Sequence, residues 1–293
     1  ANEIYVMSKM TELVGGFHVQ FERVIADNFP EVTVEVRVEN RRRQSVVGLE
    51  QSNFFITEGK KPVSFELIGA ANNNDVADIT ILIDRSLSMK PYEERLNAAV
   101  REITQSMEGR GTVNVICAGA VPVNEFSGNP SQLSDFSCKA LKCPYAENVS
   151  IDLALRLASN GLINAEKKRG IIYVTAGDSV QNSFTQYALS DLTTYMNNNA
   201  ISFSTIQLTQ NALSDEITYI TNDTTGSLYY IYRPEGLGDV IKDIISIPSG
   251  LYQFKYTSSL STEYGRKYLP VEIETYLLNR SGRDETGYYA PLQ

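Results

Sequence analysis

The hydrophobic rhythm of the chain changes twice. From residue 17 to about 70 apolar and polar positions alternate, as in "FHVQFERVIA" (17–26) and "EVTVEVRVEN" (31–40). That period of two predicts strands with one face buried. "NFFITEG" and "PVSFELIGA" continue the pattern across a "GKKP" turn, and "ANNNDVAD" (71–78) reads as a polar, turn-prone linker. From about residue 78 the rhythm becomes short continuous apolar runs separated by helical stripes. "DITILID" predicts a buried strand, and "PYEERLNAAVREITQSM" (91–107) a helix with Pro91 in its first turn. Glu93 and Glu94 lie at the positive end of that helix, and Leu96, Ala99, Val100, Ile103 and Met107 form its apolar stripe.

"TVNVICAGA", "GIIYVTAG", "AISFSTIQL" and "GSLYYIY" are the next expected strands. Between them come a helix over "SIDLALRLASNGL" closed by Gly161, and stripes at Phe184, Ala188, Leu192 and Met196 and at Leu213, Ile217 and Ile220. "GLGDVIKDIISIP" predicts a last helix stopped at Pro248. Alternating strands and helices imply a mostly parallel, doubly wound α/β sheet covered on both faces. After Pro248 the period of two returns in "GLYQFKYTSS" and "YLPVEIETYLL", with "GYYAP" near the end. Neither terminal piece alone has enough strands for a stable sandwich, whereas together they do. The expected organisation is therefore a discontinuous β-sandwich built from residues 1–76 and 249–293, with an α/β domain over 77–248 inserted between.

A length of 293 residues suits two cores, and 42% apolar residues are enough to fill them. The net charge of −9 argues against nucleic acid, which is bound by clustered Lys and Arg. Arg41–Arg43 is the one dense basic run and reads either as a solvated hairpin turn or as an anion contact. No apolar run is long enough for a membrane span. His18 is the only histidine and falls in a strand pattern, so no Ser-His-Asp or Cys-His arrangement can be built without it, and no zinc cluster is expected. No catalytic role is expected. Cys117 reads as a small core residue. Cys138 and Cys143 are spaced either to bridge a short loop or to remain reduced. Tyrosines concentrate in the last third of the chain, as core packing or as an exposed aromatic surface.

The candidate chemistry sits in "ILIDRSLSM" (81–89). A buried strand ends in Asp84, and Ser86 and Ser88 follow at alternate positions. In open α/β sheets the carboxyl ends of the strands are where ligands bind. One carboxylate and two hydroxyls are hard-oxygen donors suited to Mg²⁺ or Mn²⁺, which can accept a further oxygen from an acidic side chain of a protein partner. The other reading has the same three residues hydrogen-bonding their loop and capping the following helix.

"DRSLS" resembles the metal-ion-dependent adhesion site of von Willebrand factor type A domains. The resemblance extends over roughly residues 78–247, through "IIYVTAGDS" and "ITYITNDTTGSLYYI". "VVGLEQSNFFITEGKKPVSFEL" and "GYYAP" are similar to the flanks of a bacterial subgroup of such proteins. It implies an exported, non-enzymatic protein-interaction or adhesion module, acting in the periplasm or at the cell surface through the carboxyl-end loops. A structural component of such an assembly with a vestigial, metal-free site is the alternative. The family's second-loop Thr falls at Val149, beside Asn148 and Ser150, and its third-loop Asp at Ala176, two residues before Asp178. Three of five metal-ligand positions therefore remain: Asp84, Ser86 and Ser88. Ser150 and Asp178 are the nearest substitutes for the missing two, and Arg85 adds a cation beside the loop.

Overall fold

The computed structural model describes residues 16–41, 45–68, 76–163, 165, 167–177, 183–233, 235–247 and 250–291. The chain divides into two compact units, residues 1–73 with 248–293 and residues 74–247. In chain order the strands are β1 (His18–Ile25), β2 (Glu31–Glu39), β3 (Phe54–Glu58), β4 (Lys61–Pro62), β5 (Phe65–Leu67) and β6 (Ala77–Asp84). A 3₁₀ turn over Leu87–Tyr92 leads into α1 (Glu93–Ser106), then β7 (Val113–Ala118), β8 (Val123–Gly128) and α2 (Ile151–Leu162). Next come β9 (Lys168–Thr175), α3 (Leu189–Asn198), β10 (Ile201–Gln207), α4 (Asp215–Asp223), β11 (Leu228–Tyr230) and α5 (Val240–Ser246). The chain ends with β12 (Leu251–Thr257), β13 (Tyr268–Leu277) and β14 (Arg280–Tyr289).

The discontinuous unit is two antiparallel four-stranded sheets, ordered β1-β2-β12-β5 and β14-β13-β3-β4. Their alternating inner residues form one core: Val32, Val34, Val36 and Val38 meet Phe54, Ile56, Phe254, Val271 and Ile273. Phe54 packs edge-on to Phe254 with ring centres 4.6 Å apart, a favoured aromatic geometry. Pairing runs between the chain ends, β2 with β12 and β3 with β13.

The inserted unit is a six-stranded sheet ordered β11-β10-β9-β6-β7-β8, parallel except for β8, which is antiparallel to β7. Every residue of β6 and β10 is buried, as expected of strands covered on both faces. One face packs Ile79, Ile81 and Ile83 against Leu96, Val100 and Ile103 of α1 and Val240, Ile241 and Ile244 of α5. The other packs Leu82, Ile171 and Phe203 against Leu155 and Ala158 of α2, Met196 of α3, and Ile217 and Ile220 of α4.

Several boundaries differ from the sequence expectation. Pro91 lies in the 3₁₀ turn ahead of α1, while Glu93 and Glu94 do open the helix. Gly161 does not close α2, which runs on to Leu162. Phe184 and Ala188 precede α3, and the expected strand 226–232 is only three residues long. β8 and most of β14 went unanticipated because "VNEFSG" and "RSGRDET" carry no regular apolar alternation. Arg41 is in a turn, and Arg42 and Arg43 lie outside the described residues.

Candidate recognition site at the strand tip

Parallel pairing of β6 with β7 and β9 brings Asp84, Ala118 and Thr175 to the same edge of the sheet. Asp84 is buried, at 3% exposure, and its two oxygens are engaged in different directions. Oδ1 accepts the Ser86 N–H at 2.8 Å, and Oδ2 accepts the Thr175 hydroxyl at 2.8 Å. Thr175 Oγ1 in turn accepts the Gly177 N–H at 3.2 Å. Gly177 has φ +85°, and a Cβ there would meet Gln207 Nε2 at 2.7 Å and Asn211 O at 2.9 Å, so this turn requires glycine. Tyr173 is fully buried; burial first, and then the charge of Asp84, hold its hydroxyl pKa well above the usual value.

Ser86 and Ser88 are half-buried, and their hydroxyls bond each other at 2.7 Å. Ser86 precedes the 3₁₀ turn without a side-chain cap, so the expected hydroxyl capping does not form there. Arg85 turns away from the tip and into the protein, at 5% exposure. Its Nε donates to Cys143 O at 3.1 Å and its guanidinium lies 3.7 Å from the centre of the Tyr145 ring. Nη1 has no hydrogen-bond partner among the described residues.

The neighbouring loops are tied to the tip through the backbone. The Arg85 N–H donates to Ala118 O, and its carbonyl accepts the Ala146 N–H. Leu87 N–H donates to Ala146 O, and Ser150 N–H to Gly119 O. Segments 85–88, 118–121 and 143–150 therefore make one continuous rim. Leu87 and Val121 stand out from it, at 41% and 70% exposure. The next loop along the edge is secured by Asp152, whose Oδ2 accepts the N–H groups of Thr185, Gln186 and Tyr187 at 2.8–3.2 Å. Thr175 and Asp152 are the site residues that sequence reasoning missed, whereas Arg85, expected as a cation beside the loop, is there with its side chain turned inward. "TAG" beside the expected ligand position was the available hint for Thr175, whereas an Asp in a helix's first turn ordinarily signals only a favourable dipole.

A magnesium-sized ion asks for six oxygens in near-octahedral array. The described residues do not fit one. They supply a single carboxylate, already accepting hydrogen bonds at both oxygens, and two hydroxyls bonded to each other. Val149 and Ala176 bring no side-chain oxygen, and Ser150 donates its hydroxyl to Ala120 O at 3.0 Å. No group of three or more His, Cys, Asp or Glu side chains placed for a metal occurs among the described residues, and Asp178 lies outside them.

No protein-family model and no curated protein matches the sequence. Solved structures similar to it include the VWA domain of SpRpn10, at 14% identity and TM-score 0.42 over 57% of this chain and 93% of that one. A von Willebrand factor type A protein from Catenulispora acidiphila is 10% identical with TM-score 0.45, over 95% of this chain and 74% of that one. Proximal thread matrix protein 1 from the mussel byssus, with a zinc-occupied MIDAS motif, is 12% identical with TM-score 0.47, over 64% of this chain and 49% of that one. The inserted unit has the doubly wound, mostly parallel α/β fold expected from the sequence, with strand order β11-β10-β9-β6-β7-β8, helices on both faces and Asp-x-Ser-x-Ser at the tip of β6, the arrangement that the resemblance to von Willebrand factor type A domains implies.

Proposed function

We propose that the chain is a non-enzymatic protein-interaction module that meets its partner with the loops at the carboxyl end of the central sheet. One observation carries this reading: the rim is held together by backbone hydrogen bonds while raising Leu87 and Val121 into solvent. Apolar side chains on a pre-ordered rim lose little freedom on docking, so more of their burial is retained as affinity. The Ser86 and Ser88 hydroxyls beside them would supply polar contacts, as interfaces commonly do. His18, on β1, lies 3.4 Å from the Gln20 side chain, in the unit that does not contain this rim.

The contact on this reading needs no ion. Asp84, Ser86 and Ser88 would be the ligands of any Mg²⁺ or Mn²⁺ at the tip, with an acidic side chain of the partner completing the shell. Calorimetric titration of the isolated protein with either ion is expected to give no saturable heat. Saturable binding lost in Asp84→Ala would replace this reading with a metal-bridged contact. An extracytoplasmic setting, periplasmic or cell-surface, belongs to the same proposal and is motivated by the resemblance of the flanking segments. No described helix is long and apolar enough to cross a membrane.

A second reading places the contact on the sandwich, as in a structural component of a larger assembly. It is favoured by the exposure of Tyr264, Tyr268, Tyr289 and Leu278 there. A photo-crosslinking residue placed at 87, at 121 and at 278 in turn separates the two readings. Protein adducts from 87 and 121 but not 278 are expected, and adducts from 278 alone would move the partner to the sandwich.

A further inference from the structure

The three cysteines are all free and buried, and the fold arranges them in a way their spacing does not suggest. Cys117, near the end of β7, faces the core covered by α1 and α5, as do Cys138 and Cys143. Gly119 lies just past the end of β7, two residues after Cys117. Cys143 Sγ occupies the space beside this glycine: a Cβ built on Gly119 would lie 2.5 Å from it. The absence of a side chain at 119 thus admits the Cys143 sulfur to the end of β7 that carries Cys117, where it also lies 3.9 Å from Val121 O and 3.7 Å from Pro144 O. Cys138 points elsewhere, with its Sγ 3.8 Å from Glu93 O. Arg85 donates to Cys143 O through Nε at 3.1 Å, and its Nη1 has no hydrogen-bond partner among the described residues. Its charge favours the thiolates, while burial outweighs it and raises both thiols above their ordinary value.

We infer that Cys117 and Cys143 are the pair this fold brings together for a disulfide, formed when the chain folds in the presence of a disulfide oxidant. The step is thiol–disulfide exchange. The Cys143 or Cys117 thiolate displaces one thiolate from the oxidant to give a mixed disulfide. The second cysteine then attacks that sulfur, releasing the oxidant's other half. The protein loses two electrons and two protons, and the oxidant leaves as two thiols. Because burial disfavours the thiolates in the finished fold, the exchange belongs to folding or to opening of the 141–146 segment. The bond would pin that segment to β7, and Ala146 within it both donates to Arg85 O and accepts from Leu87 N–H. Oxidation would therefore stiffen the strand-tip rim, whether or not that rim is the contact proposed above.

The test is thiol mapping on the full chain. The protein is unfolded with reductant, refolded in a glutathione redox buffer, blocked with alkylating reagent under denaturing conditions and digested without reduction. A peptide linked through Cys117 and Cys143 is expected, with Cys138 alone carrying the alkyl group. Three alkylated cysteines, or a link through Cys138, would overturn the inference. Cys138→Ser keeps the test independent of whether Cys117→Ser or Cys143→Ser folds: the linked peptide should be unchanged in it. A chain whose link disappears with Cys138 would also refute the pairing.

Discussion

Asp152 is 1% exposed, and its carboxylate organises backbone from two places in the sequence. Oδ1 accepts the Leu153 N–H at 2.7 Å inside α2, and Oδ2 gathers three N–H groups from residues 185–187. Hydrogen bonds to a charged acceptor are stronger than neutral ones, and donors left without it are costly where they are buried. Asp152→Ala should therefore lower unfolding stability by about 2–4 kcal/mol in denaturant titration. It should also speed hydrogen exchange at the amides of 185–187 well beyond the global effect; unchanged exchange there would show that the loop is held by other means. Asp152→Asn, which keeps the shape and gives up the charge, should fall between. Asp84, Ser86 and Ser88 were legible in the sequence because they are consecutive alternate residues at the end of an apolar run. Thr175 and Asp152 were not, since their roles rest on partners 91 and 33–35 residues away. No local pattern announces such pairs.

Among the elements, those that bury a continuous surface declared themselves. β6 and β10 are buried along their whole length, and the stripes of α1 and α2 sit where the 3.6-residue period puts them. The inner valines of β2 appeared through alternation. β14 did not, because Arg280–Thr286 is polar on nearly every residue and becomes a strand only by pairing along the full length of β13. The turn that joins these two strands is Leu278–Asn279, and it puts a leucine at φ +55° with 97% of its surface exposed. A residue with a Cβ is strained in that region, and Leu278 has almost no packing to set against the strain. Leu278→Gly should raise stability by about 0.5–1 kcal/mol, after the added freedom of glycine in the unfolded chain is counted. The check is a higher denaturant midpoint with an unchanged slope; a lower midpoint would mean that Leu278 contributes packing not apparent from its exposure.

At the scale of the molecule, the sandwich holds a polar centre that links its stability to pH. Glu58 is buried and accepts the hydroxyls of Tyr256 at 3.0 Å, Tyr288 at 2.7 Å and Ser258 at 2.6 Å. Burial first, then the neighbouring Glu58, holds the Tyr288 hydroxyl above its ordinary value; burial, the Tyr288 charge and Glu58 do the same for Tyr256. Both folded pKa values are raised, so the stability they contribute is complete below the ordinary tyrosine pKa of about 10 and is lost as pH climbs beyond it. Stability measured against pH should decline above that point, and Tyr288→Phe should make the decline shallower even if it lowers stability at neutral pH. An unaltered slope would exclude this network as the source. The same unit draws its strands from both ends of the chain, with β2 on β12 and β3 on β13, so neither end can complete a sheet alone. The α/β unit, by contrast, finds all its strands and both covering cores within residues 74–247. Residues 74–247 expressed alone should therefore unfold cooperatively, with mixed helix and strand signals in circular dichroism. Residues 248–293 alone should lack stable structure, and joining residues 16–68 to 250–291 through a short linker should restore strand content. If the excised α/β unit proved unfolded instead, its two apolar cores would be insufficient by themselves, and the chain would have to be treated as a single folding unit.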